Sequence, residues 1–236
     1  MALNAVQANI CLHHLEIKSS DPQRLAEFYS KVMDMKINKV TNQKFLCEGP
    51  DRKIIISKGK NKTLGYAGMV CKNKKNLERY KEFLKQNKCK INHFVSEFYQ
   101  SGSFSLHDPD NNMICFGVSK KENTFVTKGI NAPLQHLTFA SKDVEKFQNF
   151  YHKKLGFQVS DRVVKSNGEL ATCFTTSNHE HHTIACFKSS QNGIDHHSYE
   201  TGEWNNIKIW CDHFAQNNVK LMWGPGRHGP GNNLFV

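Results

Sequence analysis

Two stretches decide the fold: "LHHLEIKSSDPQRLAEFYSKVMDMKI" at residues 12–37 and "LQHLTFASKDVEKFQNFYHKKLGFQV" at residues 134–159. They align without a gap at an offset of 122. His14 meets His136, Leu15 meets Leu137, Asp21 meets Asp143, and Phe28-Tyr29 meets Phe150-Tyr151. Each copy reads as a strand, a polar turn, an amphipathic helix and a second strand. In the first strand of the later copy, Leu137 and Phe139 alternate with His136 and Thr138, so one face packs and the other looks elsewhere. Val144, Phe147, Phe150 and Tyr151 then follow at helical spacing.

The repeat continues outward. "KEFLKQNKCKI" (81–91) resembles "CDHFAQNNVKL" (211–221), and "SFSL" (103–106) resembles "NLFV" (233–236), at an offset of about 130. The chain therefore divides into two homologous modules, 1–121 and 130–236, joined by "SKKENTFVTKGINAP" at 119–133. Each module reads as β-α-β-β-β twice over. The fold class is α+β, with a curved mixed sheet in each module wrapping a cavity.

Composition sets limits. A chain of 236 residues, 38% hydrophobic and 22% charged, folds around a sizeable core. It has no run of eighteen apolar residues, and its start, "MALNAVQANICLHH", lacks the charged and apolar regions of a signal peptide. Its eight cysteines are scattered with no CxxC pair, which suits reduced thiols in a cytoplasmic protein. The net charge of +11 invites a nucleic-acid reading. Residues 1–121 hold 21 Lys/Arg against 11 Asp/Glu, while 122–236 hold 11 against 10. The excess lies largely on "KNKKNLERYKEFLKQNKCK", a helix with Leu77, Tyr80 and Leu84 on one side and lysines on its solvated face. Neither a nucleic-acid nor a membrane partner is expected.

Five of the thirteen histidines fall between His179 and His197. His136 and His197 each sit in a short strand-like segment of the second module, and two imidazoles from paired strands can converge on one cation. His182 is placed to accept a proton near neutral pH. His228 lies in the loop "WGPGRHGPGNN" (223–233), whose glycines permit close approach to a ligand. The residues alone leave a second reading open. A single strand histidine is more often a satisfied core or surface group. In the adjacent pairs His181-His182 and His196-His197 only one member can enter a cavity.

The duplicated "HHLEIKSSDPQRLAEFYSKVMDM" and "QHLTFASKDVEKFQNFYHKKLGF" resemble the vicinal oxygen chelate superfamily. "NHEHHTIACF", "DHHSYE" and "WGPGRHGPGNN" resemble, more specifically, its two-module type I extradiol ring-cleavage dioxygenases, such as 2,3-dihydroxybiphenyl and catechol 2,3-dioxygenases. The resemblance implies His136 and His197 as iron ligands and His182 as the acid-base group. It implies His228 as a hydrogen-bond partner of the bound diol, with Thr138 and Phe174 lining the substrate pocket. The first module is then a metal-free relic, with Tyr66 or Ala67 opposite His197 and Cys115 in the place of the carboxylate ligand. The implied cofactor is Fe(II), with Mn(II) as the alternative, and the implied substrates are a small aromatic diol and O₂. A homo-oligomer is expected. The family's catalytic tyrosine would fall just after Val236 and its glutamate ligand about ten residues further on. The second module is accordingly expected to lack its last strand or two. The rival readings are a glyoxalase-like isomerase, which commonly uses two carboxylate ligands, and a metal-free small-molecule-binding protein.

Overall fold

The two aligned stretches fold alike down to their turns. In the first, Ser19 Oγ accepts the Asp21 amide and Asp21 caps the following helix by accepting the Arg24 amide. In the second, Ser141 Oγ accepts the Asp143 amide and Asp143 accepts that of Lys146. Short polar side chains at these positions satisfy amide donors that a helix start leaves unpaired. The computed structural model describes residues 1–120 and 130–236. Residues 121–129, the middle of the expected connecting segment, lie outside the described residues.

The first module runs β1 (Cys11–Ser19), α1 (Pro22–Val32), β2 (Lys36–Thr41), β3 (Lys44–Gly49), β4 (Arg52–Lys58), β5 (Leu64–Val70), α2 (Lys74–Gln86), β6 (Asn92–His93), β7 (Phe104–His107) and β8 (Met113–Gly117). Its eight strands form one mixed sheet in the order β2-β3-β4-β1-β5-β8-β7-β6. This is the doubled β-α-β-β-β pattern read from the sequence. Leu77, Tyr80 and Leu84 of α2 are buried, as their spacing requires.

The second module runs β9 (Leu134–Ser141), α3 (Val144–Asn149), β10 (Gln158–Val164), β11 (Leu170–Thr176), β12 (Ile184–Lys188), β13 (Gly193–Tyr199), α4 (Trp204–Gln216), β14 (Gly226–Arg227) and β15 (Leu234–Phe235). Its sheet is β10-β11-β12-β9-β13, with β14-β15 as a separate ribbon. The helical spacing at 144–151 changes type partway. Phe150–Lys154 is a π-helical turn that still buries Tyr151. In the first module β5 pairs with β8 through Gly68↔Cys115. Among the described residues the equivalent edge of β13 carries no strand.

One apolar core, containing Leu15, Ile54, Phe116, Leu137, Phe139 and Phe147 among others, runs through both modules. Leu137 and Phe139 are fully buried on the core face of β9, which confirms the alternation read there. All eight cysteines are unpaired. Five are buried, and Cys11, Cys89 and Cys211 are partly exposed. Among the described residues no helix is long and apolar enough to cross a membrane.

Candidate metal centre and active site

β9 and β13 pair antiparallel, and their register decides which histidine of the adjacent pair enters the cavity. Thr138 faces His196, Leu137 faces His197, and His136 faces Ser198. Directly opposed residues of a pair share a face. His196 therefore lies on the face of His136 and Thr138, while His197 lies on the face of the core residue Leu137. The His136 and His196 Nε2 atoms are 3.4 Å apart. His197 turns instead to Tyr29 and Tyr199, whose hydroxyls are 3.2 and 3.1 Å from its Nε2. The sequence reading placed His197 beside His136; the imidazole whose Nε2 faces that of His136 in the structure is His196.

The other nitrogen of each paired imidazole is engaged. His196 Nδ1 meets the Asp195 carboxylate at 2.6 Å. His136 Nδ1 meets Gln135 Oε1. Gln135 is itself oriented, because its Nε2 donates to the Glu180 carboxylate at 2.8 Å. A carboxylate or amide oxygen takes an N–H, so both Nδ1 atoms carry hydrogen, and the two Nε2 atoms face each other. Burial, followed by the neighbouring His182, holds the His136 imidazole well below its usual range. It is neutral, the form a cation requires. Two Nε2 atoms at this distance can share a proton or a cation. Two nitrogens each about 2.1 Å from a shared ion lie roughly 3.0–3.4 Å apart for angles from square to tetrahedral. The donor set fits a metal.

The other residues read from the sequence converge on the same place. His136, Thr138, Phe174, His182, His196 and His228 line one cavity of about 1070 Å³. The His182 ring centroid is 4.0 Å from that of His136 and 5.0 Å from that of Phe174. Burial, then His181, pushes the His182 imidazole down to about 3. Its Nδ1 lies 3.1 Å from His181 Nδ1, leaving Nε2 for a ligand. His228 Nδ1 donates to the Pro230 carbonyl at 3.2 Å, which fixes that ring in its loop. Thr138 Oγ1 is buried on the cavity face with no hydrogen-bond partner, an arrangement that costs free energy until a ligand supplies one. His197 also borders the cavity, although its Nε2 is taken by the two tyrosines. A second group of possible ligand atoms, from His179, Glu180 and Glu200, lies at the rim. Burial, then its hydrogen bond to Glu180, raises Glu200 to about 7. This group is tied to the imidazole pair through Gln135.

The first module carries different residues at the equivalent place. Glu16 faces Tyr66 and Leu15 faces Ala67, so Tyr66 is the counterpart of His196 and Ala67 that of His197. His14 lies opposite Gly68, and a Cβ at Gly68 would fall 2.3–2.5 Å from the imidazole. The ring is packed by Phe98, Tyr99 and Tyr66 with centroids 4.7–5.3 Å away.

Comparison with known proteins agrees with this architecture. The family model described as the Glyoxalase/Bleomycin resistance protein/Dioxygenase superfamily matches residues 11–116 and 134–236. The chain belongs to that superfamily. It is 29% identical over 102 residues to metapyrocatechase 2 of Cupriavidus necator, across 43% of this chain and 31% of that protein, so the match spans under a third of the relative's length. Among solved structures, the halotolerant catechol dioxygenase BphC superposes with a TM-score of 0.81 at 14% identity, covering 95% of this chain and 80% of that one. Homoprotocatechuate 2,3-dioxygenase from Brevibacterium fuscum, in complex with 3,4-dihydroxyphenylacetate, gives 0.77 at 17%, over 96% and 76%. The Arthrobacter globiformis enzyme gives 0.75 at 19%, over 94% and 73%.

Proposed function

We propose that this protein is an extradiol dioxygenase, using Fe(II), with Mn(II) as the alternative ion, to open a catechol-type ring next to its two hydroxyls. The observation that carries the reading is the facing Nε2 pair of His136 and His196, each backed at Nδ1. The relatives' names support it, since all four are dioxygenases or a metapyrocatechase. The first module is proposed as metal-free, because His14 fills its own site against Gly68.

Bound between His136 and His196, the ion supplies Lewis-acid activation of the diol and one place for diol and O₂ to meet. A carboxylate beside Ser198, the place Cys115 holds beside Gly68, would complete a two-histidine, one-carboxylate set. This chain's residues do the rest. Neutral His182 accepts a proton from a diol hydroxyl and returns it later in the turnover. Phe174 provides an apolar wall for the ring. The Thr138 hydroxyl donates to a substrate oxygen and so gains its missing partner. His228 reaches the cavity from the Gly/Pro loop. Both oxygen atoms of O₂ enter the product, so no outside reductant is needed. The eight unpaired thiols support a reducing, cytoplasmic setting.

The test is to load the protein anaerobically with Fe(II), add a simple catechol and admit air. The expected result is one O₂ consumed per diol, with a ring-opened semialdehyde as product. Tight Fe(II) binding without oxygen uptake would favour an isomerase-like member of the superfamily. Catechol binding that is indifferent to metal would favour a metal-free binding protein.

A further inference from the structure

β13, the strand that carries His196, is held from outside its own module. At its beginning the Ile194 amide donates to the Lys62 carbonyl at 3.1 Å, and a Cβ at Gly193 would fall 2.8 Å from the same carbonyl oxygen. At its other end His197 meets the Tyr29 hydroxyl, on α1 of the first module, 168 residues away in sequence. Tyr199 closes the arrangement from the strand itself. His197 and Tyr29 also stack, with centroids 6.1 Å apart and planes 22° from parallel. Across β13 these contacts lie on the face opposite His196. A rotation of the strand that brought His197 toward His136 would break both hydroxyl contacts and leave buried polar groups unpaired. In the first module the counterpart of His197 is Ala67, which makes no such contact, and the counterpart of His196 is Tyr66, a residue without an imidazole. The polar clamp occurs on the copy that holds the facing imidazoles.

We infer that His197 is a positioning residue: held by Tyr29 and Tyr199, it lets the first module fix the register and tilt of β13, so that His196 presents Nε2 to His136. The inference rests on the reading of His136 and His196 as the metal pair. It assigns to the first module a part in metal affinity, and to the second histidine of the adjacent pair a role other than ligation. His197 acts through the strand, since its Nε2 is taken up by the hydroxyls of Tyr29 and Tyr199. Tyr29 is the remote arm of the same device.

The experiment is a Co(II) titration, followed by visible absorption, of wild type, Tyr29→Phe, His197→Leu, His197→Gln and His196→Ala, with circular dichroism checking that each is folded. Supports of metal ligands typically carry 10–100-fold in affinity. His197→Leu should weaken Co(II) by roughly 10-fold or more while its ligand-field bands persist in saturating metal. Tyr29→Phe, which removes one oxygen and preserves the ring, should weaken it several-fold. His197→Gln, which can still bond a tyrosine hydroxyl, should recover part of the loss. A purely structural contribution would lower the melting temperature and leave affinity unchanged. If His196→Ala loses Co(II) while His197→Leu and Tyr29→Phe bind as wild type does, the positioning role is overturned and the metal pair stands. If His196→Ala binds as tightly as wild type, the metal pair itself is wrong and the inference goes with it.

Discussion

At the scale of residues, one carboxylate and one hydroxyl give sharp tests. Asp195 holds His196 Nδ1, so Asp195→Asn should lower metal affinity by about 10–100-fold with little effect on folding, measured by isothermal titration. Thr138 has a buried hydroxyl without a partner, so Thr138→Val should leave the melting temperature equal or slightly higher while catechol binds several-fold more weakly. His182→Gln should keep metal and fold and slow turnover by roughly 10²–10⁴. The cavity residues His136, Thr138, Phe174, His182 and His228 were all legible in the sequence, because chemistry-bearing side chains cluster there in recognisable strings. The choice within "DHHSY" was not, because alternation shows that the two histidines face apart without showing which faces in. The repeat left Tyr66 or Ala67 opposite His197, and the strand pairing resolves the register: Ala67 is the counterpart of His197 and Tyr66 that of His196. Asp195 and Gln135 were missed because a supporting partner is recognised only once the ring it supports has been oriented.

At the scale of elements, the duplicated strand-turn-helix unit was readable because its determinants are local: alternating apolar residues, an Asp cap and a helical stripe. What the sequence concealed is the π-helical turn at Phe150–Lys154, since helical spacing brings Phe150 and Tyr151 to one side whichever turn type is used. The strand pair β1–β5 carries its own prediction. Gly68 accommodates the His14 ring, so Gly68→Ala should destabilise the protein by about 1–3 kcal/mol through overpacking, seen as a lower midpoint in urea unfolding.

At the scale of the whole molecule, the modules are joined by more than their shared apolar core. Arg52 is fully buried. Its guanidinium donates to the Met33 carbonyl at 3.0 Å and the Ile130 carbonyl at 2.9 Å, and lies 5.5 Å from the Trp210 ring on α4. Arg52→Met should cost about 2–4 kcal/mol, because it leaves buried carbonyls unsatisfied on both sides of the junction. No short sequence motif announces this residue, since its partners are backbone oxygens far apart in the chain. The same junction places α1, and with it Tyr29, against β13. All of this depends on one cation lying between His136 and His196. The most direct test is a crystal of the iron-loaded protein measured at the iron absorption edge. The account predicts a single anomalous peak, roughly 2.1 Å from Nε2 of both His136 and His196, and none beside His14. A peak coordinated by His197 in place of His196, or one held by His14 in the first module, would contradict it.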